Sequence, residues 1–179
     1  GTTYYAKTRS VNNSGVFSVY NTASDGIMID TTPPSIPAGY IVRDGTGTAD
    51  INAVINAGVL SANWDSTMFD NESGVLRYWY AVGTTPGSND VQSWTNVGLS
   101  TAVTLTDMTL ADRTSYYFSV RAENNAGLLS GTTASNGVKV ESSSPPVMIS
   151  LTDAGIWSRN NTSIYAVWTA TIPTGGTID

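Results

Sequence analysis

Apolar and polar residues alternate at period 2 along most of this chain. Leu60, Ala62 and Trp64 alternate with Ser61 and Asn63, and Tyr78, Tyr80 and Val82 alternate with Trp79 and Ala81. Val103 and Leu105 flank Thr104, while Tyr116, Phe118, Val120 and Ala122 alternate with Tyr117, Ser119, Arg121 and Glu123. Successive side chains of a strand point to opposite faces, so each set predicts a strand with one inward and one outward face. No long helical pattern competes with this reading. Turn signals at Asp44-Gly45, Ser73-Gly74, Pro86-Gly87, Ala126-Gly127 and Asn136-Gly137 separate the runs. The pattern predicts an all-β sandwich of sheets packed face to face.

The chain also repeats itself. The segment from Tyr4 to Gly15 returns as Tyr116 to Gly127, 112 residues later, and Ala23 to Asp30 returns as Ala134 to Glu141, 111 residues later. Pro33-Pro34 returns as Pro145-Pro146, and Leu60 to Trp64 is echoed by Ile164 to Trp168. The expected organisation is the last two strands of one unit in residues 1–33, a complete unit in 34–146, and the first two strands of a third in 147–179. A Pro-Pro step lacks two donors and favours an extended backbone, so it predicts short, semi-rigid joints between units. Tandem arrays more often build reach or binding surface than active sites.

Several strand signatures of the middle unit, in order, carry a resemblance. Leu60-Ser61-Ala62-Asn63-Trp64 ends on a core tryptophan, and Tyr78-Trp79-Tyr80-Ala81-Val82 follows as a third strand. Leu110 leads through a tight turn and Thr114-Ser115-Tyr116 into a long strand, and Asn124-Asn125-Ala126-Gly127 forms the next turn. This resembles the fibronectin type III domain over roughly residues 34 to 146, and implies an immunoglobulin-like β-sandwich in tandem repeats joined by short Pro-Pro linkers. The spacing of Tyr116 after Leu110 fits a tyrosine corner, whose hydroxyl bonds back to the chain. Segments 43–58 and 83–92 are longer than the family pattern, and no Arg-Gly-Asp tripeptide occurs. Ser73-Gly74-Val75 and Gly83-Thr84-Thr85-Pro86-Gly87 are similar to bacterial surface variants of the family. The fold class carries little information on function, because it serves many binding and spacing roles.

Composition narrows the chemistry. The chain has 179 residues, 40% hydrophobic and 12% charged, with a net charge of −6. Lys7 and Lys139 are its two lysines and no basic cluster occurs, which argues against nucleic acid and anionic membrane as partners. No run approaches the roughly 18 apolar residues of a membrane span. There is no histidine and no cysteine, which removes the commonest general base, the thiol nucleophile and nearly all zinc chemistry. The chain is therefore expected not to be an enzyme. A paired-carboxylate glycosidase is the least excluded reaction, with Asp70 and Glu72 its tempting residues.

Two sets of residues are candidates for binding. Asp44, Asp50, Asp70 and Glu72 fall in two segments that could supply carboxylates and carbonyls to calcium, although no other cofactor is required. The plainer reading has Asp70 and Ser73 closing a turn onto backbone amides. Trp79, Trp94 and Tyr117 alternate away from the core and could contact sugar rings or a protein partner. The plainer reading has Trp79 and Trp94 pairing across strands to cover the sheet. Asn-x-Ser/Thr sequons begin at Asn12, Asn71, Asn160 and Asn161, as expected in so Asn- and Thr-rich a chain.

The functional expectation is a non-catalytic structural or adhesive segment of an extracellular bacterial repeat protein, a stalk, surface filament or adhesin. The alternative is a spacer or carbohydrate-binding accessory module of a secreted polysaccharide-degrading enzyme. Partners would be neighbouring units or other copies of the chain, which would complete the apolar faces around Tyr4 and around Trp168, together with a surface protein or polysaccharide.

Overall fold

The computed structural model describes residues 1–142, 147–153, 159 and 165–171. All regular structure in these residues is β, and no helix among them is long and apolar enough to cross a membrane. The Pro145-Pro146 step, Ile164 and the sequons at Asn160 and Asn161 lie outside the described residues.

The middle of the chain builds two sheets. Strands β3 (Val42–Asp44), β5 (Leu60–Trp64) and β8 (Ala102–Leu105) form a three-stranded antiparallel sheet in the order β3-β5-β8. The second sheet contains β4 (Ala53–Val54), β6 (Val75–Gly83), β7 (Gln92–Asn96), β9 (Ser115–Asn124), β10 (Thr133–Ala134) and β11 (Val138–Val140). Its order is β4-β11-β9-β6-β7, with β10 also on β9. The period-2 alternation sends Leu60, Ala62 and Trp64 from one sheet, and Tyr80, Val82, Phe118, Val120, Val138 and Val140 from the other, into one shared core. Trp64 meets Tyr78 edge-on, ring centroids 6.3 Å apart, which joins the two layers through an aromatic contact.

The long segment between the first two strands of this unit has a structural reason. It leaves β3, crosses to the other sheet and contributes β4, which pairs in parallel with β11 through Lys139 opposite Ala53 and Val140 opposite Val54. The other long segment, after β6, folds back over the sheet: Gly87 N–H donates to the buried Ser119 hydroxyl at 3.0 Å. Asp90 holds that loop closed by accepting from Thr84 N–H, the Thr84 hydroxyl and the Ser88 hydroxyl. The Ser88 and Thr84 bonds draw its pKa down to about 2.

The turn into β9 is fixed by Tyr116, whose hydroxyl accepts Ala111 N–H at 2.9 Å. At the start of β11, Gly137 has φ +96, and a Cβ there would stand 2.4 Å from a ring carbon of Tyr117. Only glycine satisfies both demands, since the tyrosine lies where a side chain would be.

The first segment repeats this construction. Strands β1 (Thr2–Tyr4) and β2 (Ile27–Ile29) pair antiparallel, and bonds continue beyond them towards the turn at Asn12. Ala6 N–H donates to Ser24 Oγ at 3.0 Å, as Phe118 N–H donates to Ser135 Oγ at 3.1 Å. Ser10 N–H donates to Ser18 Oγ at 3.0 Å, as Ala122 N–H donates to Ser130 Oγ at 2.9 Å. Asn12 Oδ1 accepts from Ser14 and Val16 amides, and Asn124 Oδ1 from Ala126 and Leu128 amides. Tyr4, Ile27 and Ile29 are exposed, whereas their counterparts Tyr116, Val138 and Val140 are buried. Strands β12 (Val147–Asp153) and β13 (Ala166–Thr171) form a further antiparallel pair, with Trp168 exposed.

Candidate functional site

The four acidic residues occupy two separate environments. Asp44 is the last residue of β3 and, being in phase with the inward Val42, is wholly buried. The Asp-Gly pair reads as a turn in the sequence, yet the strand runs through Asp44 and turns only after it. Its Oδ2 accepts Gly137 N–H at 3.1 Å, and its own amide donates to Asp50 Oδ1 at 2.7 Å. Burial pushes its pKa up to about 6. The Ser135 hydroxyl and Gly137 amide pull it down, and the Asp50 charge adds to the rise.

Asp70 closes a turn. Its Oδ1 accepts the amides of Glu72 at 3.0 Å, Ser73 at 2.8 Å and Gly74 at 3.2 Å. Its Oδ2 accepts from the Asn124 side-chain amide at 3.1 Å. Burial works against the charge, but these hydrogen bonds outweigh it and hold the carboxyl below the ordinary range. Glu72 is half-buried and its carboxylate meets the Gly1 amino group. Among the described residues, no three or more acidic side chains are arranged to hold a metal ion together.

Trp79, Trp94 and Tyr117 lie on the outer face of the larger sheet, where the alternation puts them, and each is half-buried. Trp79 stands opposite Asn96 across the β6-β7 pair and opposite Arg121 across the β6-β9 pair, so the two tryptophans are not register partners. Its indole N–H donates to Glu123 Oε2 at 2.6 Å, and Arg77 Nε lies 3.4 Å from the same oxygen. The Arg121 guanidinium sits 4.0 Å above the centre of the Trp94 ring, a cation–π contact. Tyr117 lies across Gly137. Each ring is thus engaged with its own sheet while staying partly exposed.

Two residues that sequence reasoning did not single out stand at the end of the sandwich. Asn124 continues the inward phase of Tyr116, Phe118, Val120 and Ala122, a signal present in the pattern, and is wholly buried. Its side-chain amide donates to Asp70 Oδ2, to Asp30 Oδ2 at 2.9 Å and to the Thr32 carbonyl at 3.1 Å. Asp30 also accepts from the Ser73 hydroxyl. An open groove lined by Ile51, Val54, Ile55 and Val59 carries no titratable side chain. No nucleophile–base pair of the kind acyl or glycosyl transfer needs stands in it.

No family model matches the chain. Over 110 residues, 61% of the chain, the sequence is 31% identical to Exoglucanase B of Cellulomonas fimi. The match spans 8% of that protein's length, and it is close to one repeat period of the present chain.

Proposed function

We propose that the chain is a run of fibronectin type III-like units serving as a non-catalytic spacer or accessory module of an extracellular polysaccharide-degrading enzyme. The proposed division is 1–33, 34–146 and 147–179. The observation that carries this reading is the one-repeat match to a small fraction of an exoglucanase. A segment of that size, within an enzyme many times longer, fits an accessory unit. A polymeric glucan is degraded outside the cell, which accounts for the proposed location. The mechanism is geometric: stacked sandwiches separate a catalytic domain from a surface-binding domain by a fixed distance.

The test places residues 1–142 between a glucanase catalytic domain and a cellulose-binding domain, against a Gly/Ser linker of equal residue number. The expected result is faster hydrolysis of insoluble glucan with the repeat segment, equal rates on soluble glucan, and no reducing sugar released by the segment alone. Equal rates on insoluble glucan, or hydrolysis by the segment itself, would overturn the proposal. A second reading, a surface stalk or adhesin, is favoured by the internal repeat. It predicts that the segment is displayed in many further copies on the cell surface.

A further inference from the structure

The six residues after β2 are laid against the central sandwich, with a foothold at nearly every other position. Asp30 accepts from Ser73 and Asn124, and the Thr32 carbonyl accepts from Asn124. Pro34 is buried, and Ser35 exchanges two backbone bonds with Phe69, at 2.7 and 3.1 Å. The footholds at 30, 32 and 34 are a carboxylate, a backbone carbonyl and a buried ring, while Thr32 itself is exposed. The strand β2 ends at Ile29, so no free residue separates the paired hairpin from the first of these contacts.

Asn124 divides its work between two functions. Its oxygen holds its own turn, and the exposed Asn12 does the same for the first hairpin. Closing the turn therefore requires neither burial nor a linker. Its nitrogen supplies two hydrogens to three acceptors, two of them in the linker and the third Asp70. Asp30 is held in its charged form mainly by the Ser73 hydroxyl and then by the Thr32 amide, which donates to Oδ1 at 2.9 Å.

From this we infer that the Ser73–Asn124 pole of the central unit is a docking surface for an acidic linker, and that Asp30 locks the preceding hairpin to it in one orientation. The partner it fits is a segment with a carboxylate four residues before a buried proline. At the equivalent place Glu141 pairs with Lys139 at 2.9 Å, so the assignment concerns the first joint. The inference stands apart from the spacer proposal, because a locked joint serves a stalk equally well.

The absence of cysteine makes the test direct. Spin labels on Ser14→Cys and Leu99→Cys, both exposed, report the distance between the hairpin tip and the central unit by pulsed electron resonance. The lock predicts one narrow distance distribution in the otherwise unaltered chain. It predicts at least a doubling of the width with Asp30→Ala and an intermediate broadening with Ser73→Ala. Thermal unfolding of both variants should retain the parent midpoint within a few degrees, showing that the sandwich is intact. A distribution that is broad in the parent, or that stays as narrow in Asp30→Ala, would overturn the inference.

Discussion

The Asp44 carboxylate accepts the Gly137 amide hydrogen at 3.1 Å and so ties the end of one sheet to the start of the last strand of the other. The tie is made by a buried acid whose pKa stands at about 6 against an ordinary 3.8. A folded-state pKa above the unfolded one means that the folded chain binds more protons between these values. Stability is therefore greatest below about pH 4 as far as this group is concerned, and this contribution is lost as pH rises towards and through 6. Asp44→Asn keeps an oxygen for Gly137 without the buried charge. It is expected to raise the melting midpoint at pH 7.5 by about 4 °C or more, for a gain on the order of 1 kcal/mol, with little effect at pH 4. Differential scanning calorimetry at the two pH values measures this, and an equal shift at both would refute the assignment.

Tyr116→Phe removes the acceptor of the Ala111 amide while leaving the ring in place. An amide stripped of its partner costs about 1–2 kcal/mol. Urea titration is expected to show a lower midpoint with an unchanged slope, since the loss is local and exposes no new surface on unfolding.

Gly137→Ala combines a left-handed backbone with a clash against Tyr117. The two effects together are expected to cost about 2–3 kcal/mol, well above the fraction of a kcal/mol that a Gly-to-Ala change gains where the backbone suits alanine. Tyr117→Ala in the same background relieves the clash but not the backbone strain. Denaturant unfolding of the double variant should therefore recover part of the loss and no more.

Calcium is expected to leave the melting midpoint unchanged within about 1 °C relative to excess chelator, because a ligand that does not bind the folded state adds no stability. The physical reason lies in the carboxylates: Asp44 and Asp50 are tied to backbone amides, and Asp70 to three amides and a side chain. A rise of several degrees, lost in Asp70→Asn, would reinstate the acidic turn as a cation ligand set.

The strands were legible because alternation is a direct consequence of the pleat. Leu60 to Trp64 and Tyr116 to Ala122 bury the residues that the pattern assigns inward. Asp44 was not legible as a core residue, since Asp-Gly signals a turn and the strand's inward phase, set by Val42, spans only two residues there. Cross-strand partners of Trp79 and Trp94 depend on register, and the shift between Tyr80 and Val82 in the β6-β7 ladder cannot be read from one strand alone. The contacts of Asp30 join residues 43 and 94 positions apart, beyond any local signal, although the recurrence of an acid at Glu141 marks the position.

The close spacing of the contacts from Asp30 to Ser35 constrains how this segment can change in length. Inserting or deleting one residue there would draw Asp30 away from the Ser73 hydroxyl and the Asn124 amide that donate to it, or lift Pro34 out of its seat. A linker held in this way does not tolerate gradual lengthening. In the proposed spacer, reach would then change in increments of one unit, by duplicating or losing complete units.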